Sequence, residues 1–408
     1  MSASPAPLAH LRVLDLSRVL AGPWAAQFLA DMGAEVIKIE RPGEGDDTRG
    51  WGPPYLVEPT ADDPGISAYF TCTNRGKKSV AVDMATAAGQ DIIRRLAAKS
   101  DVVIENFKVG GLAKYGLDYA SLKAVNPQLI YCSVTGFGQT GPYANRAGYD
   151  YLVQGMGGLM SVTGEPDDVP GGGPVKVGVA IIDQVSGLNA LAAILTALIA
   201  RDRTGEGRHI DVALLDTAVS TLINQATTYL VADQVPGRMG NAHPTVVPYQ
   251  AFATADGFII LAIGNDGQFA RFCAAADLAD LAADERFRTN KGRIIHRAAL
   301  IPGIKVAMMN RSTATWIELL ESRAVPCGPI NTIDQVFADP QVQHRGTRRV
   351  LVHPTVGPVA VVANPVRMTG HDTTATKAPP LLGEDTTAVL REVLGMLPEE
   401  IAALPGAG

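Results

Sequence analysis

The feature that most constrains this chain lies at its start. Residues 12–16 read RVLDL, a short apolar strand. Ala21-Gly22-Pro23 breaks it, and residues 24–32 have helical spacing. Gly33 ends that helix, and residues 34–40 (AEVIKIE) form a second strand. Strand, helix and strand in so short a span predict a parallel sheet, because a parallel return needs a crossover. Further strands are expected at Val102–Glu105 and Leu129–Val134, with helical stretches at Ala88–Lys99 and Ser121–Val125. The first half of the chain is therefore expected to be a Rossmann-like open sheet. It lacks the dinucleotide fingerprint: the turn after the first strand reads SRVLAGP, not G-x-G-x-x-G, and no Walker A loop is present. Nicotinamide chemistry and nucleotide hydrolysis lose most of their support.

The chain has 408 residues, more than one ordinary core accommodates. Residues 185–200 carry Leu188, Leu191, Leu195 and Leu198 at helical spacing, which predicts a helix buried nearly all round rather than a membrane span. A strand-like RHIDVAL and a long helix, about 216–232, follow. Gly, Pro, Asn and His crowd residues 237–250 and mark a boundary. Residues 251–263 alternate like a hairpin about Ala255-Asp256-Gly257. We expect an α/β protein with a large domain in residues 1–224, a smaller α+β domain in 225–335, and a segment 336–408 returning to the large domain. The net charge of -6 offers no basic face for nucleic acid. Cys72, Cys132, Cys273 and Cys327 form no C-x-x-C pair, and the N-terminus shows no secretory pattern, so a reducing, cytoplasmic setting is expected. The seven histidines show no metal-ligand spacing, and neither a metal nor a tightly bound cofactor is expected.

A series of motifs gives the chain a family resemblance. They are VLDLSRVLAGPWAAQFLADMGAEVIKIERPGEGDDTRGW near the start, NRGKKSVAVDM from Asn74 and VVIENFKVGGLAKYGLDY from Val102. LIYCSVTGFGQTGPYANRAGYDYLVQGMGGLMSVTG from Leu129, KVGVAIIDQVSGLNA from Lys176, GNAHPTVVPYQAF from Gly240, GNDGQF from Gly264 and VPCGPINTIDQVFADPQVQHRG from Val325 complete it. In this order they resemble the class III CoA-transferases, the family of formyl-CoA transferase and carnitine CoA-transferase. The resemblance implies a Rossmann-like large domain with an inserted small domain, in an interlocked homodimer. It also implies CoA transfer between an acyl-CoA and a small carboxylic acid, with CoA as substrate and no membrane partner.

The resemblance makes Asp183 the nucleophile. By local sequence alone Asp183 is a helix-capping aspartate, ahead of an apolar helix. A carboxylate near a helix start is expected to be charged and ready to attack a thioester carbonyl. A mixed anhydride and then an aspartyl-CoA thioester would follow. The resemblance places Arg41, Lys77 or Lys78, and Lys114 beside the CoA phosphates, and Asn106 and Phe107 on the adenine side. Leu20 and Ala21 fall where the pantetheine arm passes, Leu20 in place of a family glutamine. Gly264, Asn265, Asp266, Gly267 and Gln268 match a mobile loop, read without the family as a strand-to-helix turn. His243 is a substrate-side candidate or a hydrogen-bonded loop histidine.

The α-methylacyl-CoA racemases share the fold and are the rival reading. They use a His-Asp pair for α-proton removal, and here that pair reads Tyr149-Asp150. A phenol is a poor base at neutral pH, so Tyr149 favours transfer. The motif forms look like members that move CoA from succinyl-CoA to a dicarboxylate such as glutarate, itaconate, mesaconate or malate. The second carboxylate needs a cation, for which Arg18, Arg49 and Arg146 are candidates by chain position.

Overall fold

The computed structural model describes residues 6–61 and 63–404. The chain divides into two compact units. One comprises Met1–Leu159, Val177–Ile223 and Pro340–Gly408; the other comprises Met160–Lys176 and Asn224–Asp339. Met160–Lys176 thus groups with the second unit, although it lies within the stretch expected in the large domain.

The first unit is built on six parallel strands: β1 (Arg12–Asp15), β2 (Glu35–Glu40), β3 (Lys77–Ala81), β4 (Val102–Glu105), β5 (Ile130–Thr135) and β6 (His209–Ala213). Their order across the sheet is β3-β2-β1-β4-β5-β6. This is a doubly wound arrangement, with the strand order reversing between β1 and β4. Successive side chains alternate between two cores. Val13, Val36 and Ile104 pack with α1 (Ala21–Asp31) and α5 (Ile181–Thr204). Leu14, Ile37 and Val103 face α3 (Ala87–Ala97) and α9 (Thr386–Leu394) on the other side. Both faces are covered, which is why the central strands carry short apolar runs, such as Val13-Leu14 in β1 and Val102–Ile104 in β4.

α5 has 24 residues, longer than its apolar run suggests and long enough on length and composition to cross a membrane. Ile182, Gly187, Leu191, Ile194 and Leu198 instead bury one face in the core. A Cβ at Gly187 would lie 2.6 Å from the Ala21 carbonyl oxygen, so only glycine lets α1 and α5 approach this closely. The helix is not buried all round: Leu188 and Ile199 are exposed. The single long helix expected after β6 is two helices, α6 (Leu214–Thr221) and α7 (Asn224–Ala232). They part at Ile223, whose φ of 46° lies outside the helical region.

The C-terminal segment pairs β10 (Arg348–His353) with β11 (Gly357–Val362) and then covers the edge strand β3. The Ser79 amide donates to Asp385 Oδ2 at 2.9 Å, and the Ala81 amide donates to Thr386 Oγ1 at 2.9 Å. These bonds occupy backbone groups that an open edge would expose. In the second unit, β9 (Cys327–Pro329), β8 (Phe258–Ala262) and β7 (Tyr249–Ala253) form an antiparallel sheet. It packs with helices around Phe252, Phe272 and Trp316.

The ends of β1, β2 and β3 carry buried charge. Lys77 pairs with Asp15 at 2.8 Å, Lys38 with Asp46 at 2.8 Å and Arg49 with Glu40 at 2.7 Å, all with fully buried side chains. Burial pushes the Asp15 carboxyl up, but the Lys77 and Lys38 ammoniums outweigh it and hold it below its ordinary value. Removing one member leaves its partner's charge uncompensated. Asp15→Ala should therefore cost about 3–5 kcal/mol in urea denaturation.

Candidate functional site

The strand order reverses between β1 and β4, and a ligand crevice is expected beyond the strand ends there. A cleft of about 1040 Å³ opens at that place. Its wall is made of the segments that leave the sheet. Leu16 and Arg18–Ala21 follow β1, Arg41 and Gly43–Asp47 follow β2, Val82–Ala85 follow β3, and Asn106–Val109 follow β4. Gly136 follows β5, Leu214 follows β6, and Tyr149 and Asp183 complete the wall.

Asp183 is the third residue of α5, not its cap. Asp150, at the start of α4 (Asp150–Met156), does the capping from a different helix. Its Oδ1 accepts the amides of Ile182 at 2.7 Å and Asp183 at 3.1 Å. The expectation that a helix start keeps Asp183 charged is therefore corrected. Burial, and then the charge of Asp150, push the Asp183 carboxyl up to about 7. No donor among the described residues bonds the Asp183 carboxylate, and no cation pairs with it.

The other expected residues divide clearly. Leu20, Ala21, Arg41, Asn106, Phe107, Lys114 and Tyr149 line the cleft with Asp183. Asn106 is committed to the β1 loop: its Oδ1 accepts the Arg18 amide at 2.9 Å and its Nδ2 donates to the Arg18 carbonyl at 2.7 Å. The Arg18 guanidinium lies 5.2 Å from the Phe107 ring centre and pairs with Asp47 at 3.0 Å. Arg41 is exposed and pairs with Glu44 at 2.9 Å. The Lys114 ammonium sits 4.6 Å from the centre of the Tyr115 ring.

Lys77 and Lys78 do not line the cleft. Lys77 is buried and donates to Asp15 Oδ2, the Pro23 carbonyl and Asn74 Oδ1 at 2.8, 3.0 and 2.9 Å. Lys78 bonds Glu35 at 2.6 Å. Arg49 is likewise spent on Glu40. Arg146 does line the cleft, 4.6 Å from the Tyr143 ring centre and 5.3 Å from that of Phe137. No carboxylate among the described residues pairs with it.

The remaining expected residues lie in the second unit. The Gly264 amide donates to Gln268 Oε1 at 2.7 Å, and the Gln268 amide donates to Asn265 Oδ1 at 2.9 Å. Gly264–Gln268 is thus the capped start of α8 (Asp266–Ala275), with Asp266 paired to Arg293 at 2.9 Å. His243 accepts the Thr245 amide on Nδ1 at 3.2 Å and packs edge-on against Tyr249.

Two aromatic residues escaped the sequence reading. Trp51 lines the cleft, and Tyr69, on α2 (Ala68–Thr71), packs edge-on against it at 5.1 Å. Burial pushes the Tyr69 phenol up to about 12, and the charges of Cys72, Asp183 and Asp150 add to that. Nothing in the string ISAYF marks this tyrosine as within the field of two carboxylates.

The raised Asp183 carboxyl has a stability consequence. Between pH 4 and 7 the unfolded chain has lost this proton while the folded chain keeps it. Stability from this group is therefore intact below about pH 4 and declines as pH rises to 7, by roughly 4 kcal/mol in all. Asp183→Asn should raise the melting temperature at pH 8 and leave it nearly unchanged at pH 4, measured by thermal denaturation.

The description CoA-transferase family III matches residues 8–386. A succinate–glutarate CoA-transferase of Agrobacterium fabrum (strain C58 / ATCC 33970) is 51% identical over 388 residues, covering 95% of this chain and 96% of the relative. The human succinyl-CoA:glutarate CoA-transferase is 44% identical over 402 residues, covering 98% and 89%. A crystal structure of a CAIB/BAIF family protein from Brucella suis superposes with a TM-score of 0.85 at 48% identity, covering 96% of this chain and 100% of that one. With one family description spanning nearly the whole sequence and relatives this similar end to end, the chain belongs to CoA-transferase family III and is a CoA-transferase.

Proposed function

We propose that this enzyme moves CoA from succinyl-CoA to a dicarboxylate, glutarate first among the acceptors, with Asp183 as nucleophile. The observation that carries the reading is a carboxylate in the switch-point cleft of a family III chain that no cation or hydrogen-bond donor among the described residues bonds. Such a carboxylate keeps its lone pairs available and is more basic than an ordinary aspartate. The relatives named for succinyl-CoA and glutarate support the choice of acids. A mesaconate relative of Haloarcula hispanica, 37% identical over 391 residues, supports a dicarboxylate more broadly.

The steps balance as follows. An Asp183 oxygen attacks the thioester carbonyl, the C–S bond breaks, and CoA leaves as thiolate. The thiolate attacks the Asp183 carbonyl of the resulting anhydride and releases succinate. The acceptor carboxylate then attacks the aspartyl-CoA thioester and releases thiolate again. The thiolate attacks the acceptor's acyl carbon and frees Asp183. Every bond broken has a counterpart formed, so no metal or redox group is required. The start of α1, at Ala21 on the cleft wall, has no side-chain cap. Its amides suit the developing oxyanion. Arg41, Lys108 and Lys114 suit the CoA phosphates, and the Asn106 clamp holds the loop that carries Leu20 and Ala21. Arg146 suits the acceptor's second carboxylate because no carboxylate among the described residues pairs with it. Exposed Leu188, Ile199, Leu230, Val231 and Val235 support a homodimer.

The test is a matrix of CoA donors and acceptor acids read by mass spectrometry. Glutarate should be used at least about 100-fold better than butyrate, because the missing carboxylate leaves a cation unpaired. Activity with monocarboxylates alone would sink the dicarboxylate reading. Asp183→Ala should lower kcat by about 10⁴-fold or more. Wild type given succinyl-CoA alone should yield an aspartyl-CoA adduct at Asp183 on quenching. Arg146→Ala should raise KM about tenfold for glutarate and also for succinyl-CoA, whose free carboxylate takes the same place, and should leave KM for a monocarboxylic acyl-CoA such as butyryl-CoA unchanged. Deuterium exchange into a 2-methylacyl-CoA in heavy water, without acceptor acid, would instead support α-proton chemistry.

A further inference from the structure

We infer that Asp150, clipped by Gln154, is the positioning residue of the nucleophile: it takes the helix-end amides that Asp183 would otherwise cap for itself. This inference rests on the proposal that Asp183 is the nucleophile.

An α-helix begins with amides that have no partner inside the helix. At the start of α5, the Ile181 amide bonds the Val179 carbonyl at 2.9 Å and the Gln184 amide bonds the Ala180 carbonyl at 3.1 Å. The two amides between them, of Ile182 and Asp183, both go to Asp150 Oδ1. An aspartate in the first turn is attracted to such amides by the partial positive charge of the helix start. With that place filled from α4, the Asp183 side chain has no amide of its own helix to bond.

Asp150 is itself held. Gln154, one turn further along α4 and fully buried, donates from Nε2 to Asp150 Oδ2 at 2.5 Å. Gln154 Oε1 accepts the Val177 amide at 2.9 Å. One buried amide therefore fastens both Asp150 and the segment that leads into α5. The clip fixes where Asp183 stands and sets a second negative charge beside it.

Among the described residues, none offsets that charge at Asp183. The first two turns of α1 bring Trp24 against Gly187 and carry no charged residue. On β6, His209 bonds Ser133 and Asp211 bonds the Gln139 amide. Asp216 of α6 is exposed. Tyr69, from α2, is a neutral phenol whose proton is held by burial and by the charges of Cys72, Asp183 and Asp150. Asp150 is thus the charged side chain on these elements whose field reaches Asp183.

The test uses the full-length enzyme and three variants, with kcat, KM and the pH profile of kcat/KM as readouts. Asp150→Ala frees the two amides for Asp183. Its kcat should fall about 100-fold, the scale of a misplacement near 1 Å, with KM for succinyl-CoA within about threefold. The paired change Asp150→Asn with Gln154→Glu keeps every bond of the clip. The introduced asparagine would accept both amides and donate to the introduced glutamate, which would accept the Val177 amide. This double variant should recover to within about tenfold of wild type, with the acidic limb of its profile about one unit lower. Wild-type kcat and an unshifted profile in Asp150→Ala would overturn the inference. So would a folded double variant as inactive as Asp150→Ala. Asp183→Ala separates the two readings: if it stays active, the nucleophile assignment falls. If it is inactive while Asp150→Ala matches wild type, only the role of Asp150 falls.

Discussion

The structure depends on a neutral set of charges buried around the carboxyl ends of β1 and β2 and the start of β3. Asp15, Glu40 and Asp46 face Lys38, Arg49 and Lys77, all beyond the reach of solvent. Buried pairs of this kind seldom add net stability, since desolvation consumes most of the attraction. What they supply here is position. Lys38 donates to the Ser17 carbonyl at 2.8 Å, and Asp46 Oδ1 accepts the Val19 amide at 3.2 Å and the Thr48 amide at 3.0 Å. The loops after β1 and β2 are thereby fastened to each other and to the sheet. Those loops carry Leu20, Ala21 and Arg41 into the cleft, so its floor is set before any ligand arrives.

Asp183 is the contrast that gives the site its character. Asp15 and Asp183 are the same residue type in the same unit, yet their carboxyls shift in opposite directions. Two ammoniums hold Asp15 low, whereas burial and Asp150 drive Asp183 up to about 7. The fold compensates the charges that organise its loops and leaves the proposed nucleophile uncompensated among the described residues. Stability given up at one residue is a common companion of a reactive site.

Much of the fold was legible because its strands are buried on both faces and therefore read as apolar runs. β1, β2, β4 and β5 announce themselves this way; β6, with His209 and Asp211 exposed, shows only a short apolar end. β3 does not, because it opens with Lys77 and Lys78. A lysine belongs in such a strand only when an anion waits beside it, and Asp15 lies 62 positions earlier. The same blindness put Lys77, Lys78 and Arg49 among the candidate ligand cations. Each is spent on a carboxylate that local sequence does not show. The break between α6 and α7 was also hidden, since an isoleucine at positive φ leaves no mark in the apolar pattern.

The sequence by itself determined the doubly wound α/β architecture, through apolar runs and helical spacing. Through an ordered series of motifs it also determined membership in the CoA-transferases. It could not separate a capping aspartate from a nucleophile, because both stand at the head of an apolar helix. Only the tertiary structure decided which residue caps α5: Asp150, from another helix, takes its amides, and no partner among the described residues bonds the Asp183 carboxylate. The physical reason is that charge compensation acts through space. Asp15 with Lys77, Lys38 with Asp46, and Asp150 with the amides of α5 are neighbours only once the sheet has formed.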